Sequence, residues 1–157
     1  MTNSGRPFQP DEDLVDIRPA TVGDVDALAA LSDQLGYPAA PRQIATRLQQ
    51  LSSRENDHAV FVAIVEGVAA GWIHVARRQL LETDDRAEIL GLVVASGMRQ
   101  RGIGRALIAA AESWAAHAGV FEVVVRSNVA RAESHPFYDR LGYTRTKTQH
   151  VYLKRVP

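Results

Sequence analysis

The stretch Arg99-Gln100-Arg101-Gly102-Ile103-Gly104-Arg105 holds the residues of this chain whose types and spacing most clearly suit chemistry. It lies between a nearly continuous apolar run, Ala87 to Ala95, and a segment with apolar residues at 103, 106, 107, 110, 111, 114 and 118. The first pattern predicts a central strand and the second one face of a helix of about four turns. A helix start leaves several backbone N–H groups without partners, and the helix dipole adds positive partial charge there. Two glycines let a ligand approach that backbone closely, and three arginines surround it, so the arrangement suits a di-anion such as a pyrophosphate. The same residues can be read as a solvated basic turn capped by glycines, but their place between a buried strand and a patterned helix favours the anion site. Two common phosphate loops are excluded. A dinucleotide fold wants a third Gly or Ala three residues after Gly104, where Leu107 stands, and a Walker loop wants Gly-Lys-Ser/Thr, where Gly104 is followed by Arg105 and Ala106.

The elements that must position this loop follow from hydrophobic period and turn signals. Leu14 to Arg18 predicts a short first strand closed by Pro19, and Thr21 with Asp24 three residues later predicts a helix start. Val25, Leu28, Ala29, Leu31, Ser32 and Leu35 recur at helical spacing up to Gly36, and Pro41 opens a second helix with Ile44, Leu48 and Leu51 on its stripe. Ala59 to Val65 and Val68 to Arg77 predict a hairpin about Glu66-Gly67, and residues 80 to 86 a polar loop. Phe121 to Arg126 predicts a strand, Ala130 to Leu141 a helix, and Tyr143 to Leu153 one or two closing strands. The expected order, β-α-α-β-β-β-α-β-α-β-β, is a mixed α/β sheet of six to seven strands flanked by about four helices.

Bulk properties narrow the function classes. A chain of 157 residues fits one domain, expected over 13–157 after a flexible leader over 1–12 that carries Gly5, Pro7 and Pro10. Basic and acidic residues balance at 18 each, which argues against nucleic acid as a partner. The chain has no Cys, which removes thiolate metal sites, disulfides and a cysteine nucleophile. His58, His74, His117, His135 and His150 show no metal-ligand spacing, so no metal is expected. No apolar run approaches the ~20 residues that span a bilayer, and no signal peptide is evident, so a cytoplasmic protein without a membrane partner is expected.

Three blocks together resemble the GCN5-related N-acetyltransferase (GNAT) superfamily, in the manner of a small bacterial-type member. They are Arg99-x-x-Gly102-x-Gly104, then Ser127-Asn128 after the next strand, then Phe137-Tyr138-x-x-Leu141-Gly142-Tyr143. Ile17-Arg18-Pro19-Ala20-Thr21 with Asp24 is similar to the start of many such chains, and the likeness runs from about residue 14 to 155. The resemblance implies a sheet whose strands at Ala87–Ala95 and Phe121–Arg126 part to admit the pantetheine arm of acetyl-CoA. Backbone groups of Leu92, Val93 and Val94 would pair with that arm. Arg99, Gln100, Arg101, Gly102, Ile103, Gly104 and Arg105 would surround the pyrophosphate, and Asn128 and Tyr138 would also meet the cofactor.

Acetyl transfer to an amine needs a base for an ammonium of pKa about 10.4, a donor for the oxyanion, and a proton for a thiolate of pKa about 8.5. Tyr138 is the candidate acid, although Phe-Tyr pairs also serve simply to pack a helix on a sheet. Glu88, a carboxylate early in an apolar central strand, is the candidate base; otherwise it is a strand-end residue that is solvated or paired with Arg86 or Arg77. A backbone N–H near Val93 is the candidate oxyanion donor. Without a Cys or a nucleophile elbow, direct attack in a ternary complex is expected. Asp24, Asp26, Asp33, Tyr37, Glu82, Asp84, Asp85 and Tyr152 fall where the family places its acceptors, although exposed carboxylates also simply keep a surface soluble. A CoA-binding sensor without transferase activity stays open as an alternative. So does a homodimer through the closing strands.

Overall fold

The computed structural model describes residues 15–157, and the expected leader over 1–12 lies outside the described residues. Five strands form one sheet in the order β1-β2-β3-β4-β5: β1 Val15–Pro19, β2 His58–Val65, β3 Val68–Arg78, β4 Arg86–Val94 and β5 Val123–Val125. The first four strands pair antiparallel with their neighbours, and β5 joins β4 in parallel. Four helices accompany them: α1 Val25–Leu35, α2 Pro41–Ser52, α3 Ile103–His117 and α4 Ser134–Arg140. The mixed α/β architecture expected from the sequence is present, with its helices in the expected order.

Two compact units are distinguished by their contacts. The first runs to Val125 and holds the whole sheet with α1 to α3, and the second, Arg126–Pro157, holds α4. In the first unit, strand alternation sorts the side chains. A Cβ placed on Gly71 would lie 3.2 Å from the Leu107 side chain, so residues 71, 73 and 75 of β3 face α3. Ile73, Val75, Ile103, Leu107 and Ile108 are almost completely buried there. Burying side chains of this size contributes about 1.5–3 kcal/mol each, which fixes α3 on the sheet. Its buried stripe, Ile103, Leu107, Ile108, Ala111 and Ala115, takes in 108 and 115, which the sequence pattern leaves off the predicted face.

Arg18 points to the other face of β1 and reaches the start of α1. Its guanidinium meets both Asp24 carboxylate oxygens at 2.8 Å, while the Thr21 backbone N–H donates to Asp24 Oδ2 at 2.7 Å. The capping signal of Thr21 and Asp24 is therefore real, although the first turn, Val22–Asp24, is 3-10 and α1 proper starts at Val25. Gly36, with φ +95°, closes α1 in the left-handed conformation that glycine adopts without strain.

Three expectations need correction. The sheet has five strands among the described residues instead of six to seven: Tyr143 to Leu153 forms no strand, and Thr144–Pro157 is exposed throughout. Alternation along a segment sorts side chains but supplies no ladder partner for its backbone, and a strand needs both. The strand expected over Phe121 to Arg126 shrinks to Val123–Val125, with Phe121 itself 86% exposed. The helix expected from Ala130 begins at Ser134, because Asn128 Oδ1 accepts from the Ala130 N–H at 2.9 Å and successive turns occupy the backbone up to there.

Candidate active site

The central strand β4 carries a backbone irregularity where the site should open. His74 pairs with Gly91 but Val75 pairs with Ile89, so Leu90 is an extra residue, a bulge, against β3. On its other side β4 pairs with β5 only over Ala87, Glu88 and Ile89. Beyond the bulge, Gly91 to Val94 keep β3 on one edge and have no strand on the other among the described residues. Bulges bend the bulged strand and increase its local twist, which accounts for β4 and β5 pairing for three residues and no further. Leu92, Val93 and Val94, the residues expected to pair with an extended ligand, lie on this edge.

That edge leads through the turn Ser96–Met98 into the loop before α3. Gln100 (φ +63°) and Gly102 (φ +77°) are both left-handed, with Arg101 between them. Left-handed residues alternating with ordinary ones turn successive N–H groups toward one concavity, a form that binds anions. Gly102 is the N-cap residue of α3, without a side-chain cap, and its carbonyl accepts the first intrahelical bond, from Ala106 at 3.0 Å. The N–H groups of Ile103, Gly104 and Arg105 therefore precede the helical ladder. Arg99, Arg101 and Arg105 are exposed around them, and Ile103, almost completely buried, anchors the turn from below. Gln34 Oε1, at the end of α1, accepts from the Ser96 N–H at 3.1 Å and ties this turn to the opposite layer.

Glu88 lies on the sheet face away from α3, opposite Ala76. Its side chain is 12% exposed and receives Arg78 Nε at 3.1 Å, whereas Arg77 pairs with Asp85 and Arg86 with Glu122. Residues 72, 74, 76 and 78 of β3 share the face, and a Cβ on Gly91 would come within 2.8 Å of the Trp72 ring, so the indole covers that glycine. His74 and His58 also meet here, with His58 Nδ1 and His74 Nε2 3.1 Å apart. Of the acidic residues expected near an acceptor, Asp24 and Asp85 are taken up by arginines that brace the fold.

The second unit carries the other two expected residues. Asn128 is exposed and closes its own turn through Ala130. Tyr138, half-buried on α4, sits edge-on to Phe137 and Tyr143 with ring centroids 5.1 and 5.8 Å away. Burial pushes its phenol above the ordinary value, against a smaller opposite pull from Arg131. The hydroxyl therefore keeps its proton at neutral pH, the form a proton donor needs.

The model of the acetyltransferase (GNAT) family matches residues 26–143, three quarters of the chain. The chain belongs to the GNAT acetyltransferase family. An aminoglycoside N(6')-acetyltransferase type 1 of Stenotrophomonas maltophilia is 30% identical over 147 residues, 90% of this chain and 92% of that protein. One of Salmonella typhimurium is 30% identical over 104 residues, 63% of this chain and 72% of its own length. Among solved structures, the aminoglycoside N-acetyltransferase AAC(6')-Iy in complex with CoA superimposes with a TM-score of 0.80 at 23% identity, covering 95% of this chain and 100% of that one. The fold is therefore the GNAT fold, and the chain is an N-acetyltransferase that uses acetyl-CoA as acyl donor.

The residues present fit that donor. A GNAT protein must offer an extended amide-bearing arm a strand edge and a pyrophosphate a cluster of N–H groups, and β4 beyond Leu90 and the start of α3 supply both. Both are the segments that the sequence pattern singles out. That pattern missed the Leu90 bulge that opens the edge, the Arg78–Glu88 pair and the His58–His74 contact, all of which depend on strand register. Among the described residues, no cluster of three or more His, Cys, Asp or Glu could hold a metal ion, and no helix is long and apolar enough to cross a membrane.

Proposed function

We propose that this GNAT enzyme acetylates a primary amine of a small cationic acceptor of the aminoglycoside or aminosugar kind, by direct attack in a ternary complex. The observation that supports this most is the likeness to the Stenotrophomonas aminoglycoside N(6')-acetyltransferase over nine tenths of both chains. Acetyl-CoA, when bound, supplies the activated acetyl group, and the chain does the rest. Leu92, Val93 and Val94 pair with its arm, with a backbone N–H near Val93 as the oxyanion donor. Residues Arg99 to Arg105 hold its phosphates, and Asn128 contacts it. Glu88 takes the proton of the acceptor ammonium, directly or through water, and Tyr138 returns a proton to the sulfur. The Arg78 guanidinium on Glu88 supports the role of Glu88, since a carboxylate that already holds one cation suits an acceptor ammonium. The reading treats residues 13–157 as one transferase domain of a cytoplasmic protein. It includes a homodimer, because Val151, Tyr152 and Leu153 are 93, 91 and 86% exposed and a second copy would cover them.

The test is a thiol-release assay with acetyl-CoA and a panel of aminoglycosides, aminosugars, polyamines and peptides. Turnover on the aminosugar class is expected. Glu88→Gln and Tyr138→Phe should each lower kcat by about 10²-fold or more while acetyl-CoA still binds. A folded protein that binds acetyl-CoA and acetylates no aminosugar amine would overturn the acceptor assignment.

A further inference from the structure

On the sheet face away from α3, Ala76 is ringed by four polar side chains. Across the strands it pairs with His58 on one side and Glu88 on the other, and along β3 it is flanked by His74 and Arg78. Ala76 contributes only a methyl group, and its neighbours cover it completely. Two of them, Arg78 and Glu88, hold each other at 3.1 Å, and the two histidines do the same, ring centroids 5.3 Å apart. The face therefore carries an ionic pair beside an uncharged one, with His74 diagonal to Glu88 at a Cα separation of about 7–8 Å.

The histidine pair has a property that does not depend on which ring holds which proton. The recorded hydrogen bond uses His58 Nδ1 and His74 Nε2, leaving His58 Nε2 and His74 Nδ1 outside it. Two neutral imidazoles carry two protons, one of which sits between the rings. If His74 donates, the second proton is on His58 Nε2 and His74 Nδ1 is a bare acceptor. If His58 donates, the roles reverse. Either way one of the two nitrogens outside the bond is a donor and the other an acceptor, the two capabilities that a hydroxyl group can use. An ammonium, which only donates, uses one of them. Burial, with repulsion from Arg78 and from His58 whenever that ring is protonated, lowers His74 to about 4, and burial with Arg54 lowers His58, so the pair stays neutral at pH 7.

We propose that the His58–His74 pair is a specificity subsite of the acceptor pocket, binding a hydroxyl of the acceptor while Glu88 takes its amine. This rests on the proposed acetyl transfer with Glu88 as base and names the acceptor class more narrowly, as an amine with a hydroxyl a few bonds away. Glu88 supplies charge recognition, which any amine satisfies, and the neutral pair supplies the discrimination. A site built to hydrogen-bond a hydroxyl rejects the analogue lacking it more strongly than an apolar pocket rejects an added one.

The test compares two amines that present the same CH2-ammonium on a six-membered ring: methyl 6-amino-6-deoxyglucoside and cyclohexylmethylamine. The wild type should favour the sugar in kcat/KM by about tenfold, the worth of one or two neutral hydrogen bonds. His74→Phe should remove that ratio, and His74→Gln, whose amide carries both a donor and an acceptor, should restore part of it. A merely structural role would lower both substrates in proportion and leave the ratio intact, which would overturn the subsite. If His74→Phe fails to fold, His58→Phe breaks the same pair from the edge of β2 and is judged by the same ratio. A wild type that binds acetyl-CoA yet acetylates neither amine would instead sink the transfer reading on which the subsite rests.

Discussion

Gly102→Ala is the sharpest perturbation of the loop before α3, because its steric and conformational effects separate. A Cβ built on Gly102 meets nothing within 4 Å, so the substitution introduces no clash. What it introduces is an L side chain at φ +77°. Holding alanine in the left-handed region costs about 1–2 kcal/mol, which leaves the mutant loop two ways to respond. If packing keeps the loop left-handed in the free protein, the cost falls on stability, partly offset by the stiffer unfolded chain. For a chain of this length Tm then drops by about 2–4 °C per kcal/mol, with acetyl-CoA affinity unchanged. If the free loop relaxes instead, binding has to restore the left-handed turn, and Kd rises by about fivefold to thirtyfold.

Exposure of Gly102 and the absence of a side-chain cap favour the second response, so the larger change is expected in Kd. Calorimetric titration with acetyl-CoA beside a thermal melt distinguishes the two. Gly97→Ala is the control: its Cβ also meets nothing within 4 Å, and its φ is not in the left-handed region. Gln100→Gly is the converse, since Gln100 stands at φ +63° and glycine relieves that strain, so affinity should hold or improve. If Gly102→Ala matched wild type in both Tm and Kd, the left-handed turn would have no role in presenting N–H groups to the phosphates. The anion site would then have to be sought elsewhere.

Three further outcomes follow from the geometry. Gly71→Ala places a Cβ 2.6 Å from the Val93 carbonyl oxygen, so β3 and β4 must shift along the proposed pantetheine edge; a loss of 1–3 kcal/mol or more by chemical denaturation, with weaker acetyl-CoA binding, is expected. Asp24, held at about 2 by the Arg18 guanidinium against an ordinary 3.8, contributes stability that is complete above pH 4 and is lost as pH falls toward 2. With Arg18 partly in solvent, that contribution is about 1–2 kcal/mol, and Asp24→Asn should flatten the acid limb of the stability curve. The proposed dimer predicts a concentration-dependent sedimentation coefficient that Tyr152→Glu abolishes, and a single monomeric species at all concentrations would refute it.

How much of this was legible in the sequence depended on how local each cause is. The helix starts were readable because caps act within a turn: Thr21 with Asp24, Pro41 at the first position of α2, and Gly102 before Ile103 all sit where the chain places them. The turn before α3 was readable for the same reason, and its left-handed Gly102 stands where the sequence pattern puts a glycine-bearing helix start. Partner identity was not. Glu88 could be placed in a central strand, but whether Arg77, Arg78 or Arg86 reaches it depends on the pairing of Ala76 with Glu88. The closing strands failed in the opposite sense: Thr144 to Leu153 alternates as a strand should, yet alternation specifies faces and says nothing of a ladder partner.

Leu90 shows why the undetected feature matters most. Nothing in Glu88-Ile89-Leu90-Gly91-Leu92 marks a bulge, because an apolar run reads the same with or without an extra residue. Yet the register change at Leu90 has two consequences at once. It shifts which β4 residues face each way, so that Glu88 and Gly91 share the face away from α3 although two residues lie between them, a spacing that puts side chains on opposite faces of a regular strand. It also coincides with the last pairing to β5, leaving Leu92 to Val94 without a second strand partner among the described residues. The acceptor side and the donor side of the proposed site therefore depend on the same backbone irregularity. Deleting Leu90 would set Ile89 and Gly91 side by side opposite Val75 and His74, keeping every side chain from Gly91 onward on its present face while removing the bend, so acetyl-CoA binding should weaken although the acceptor face keeps its residues.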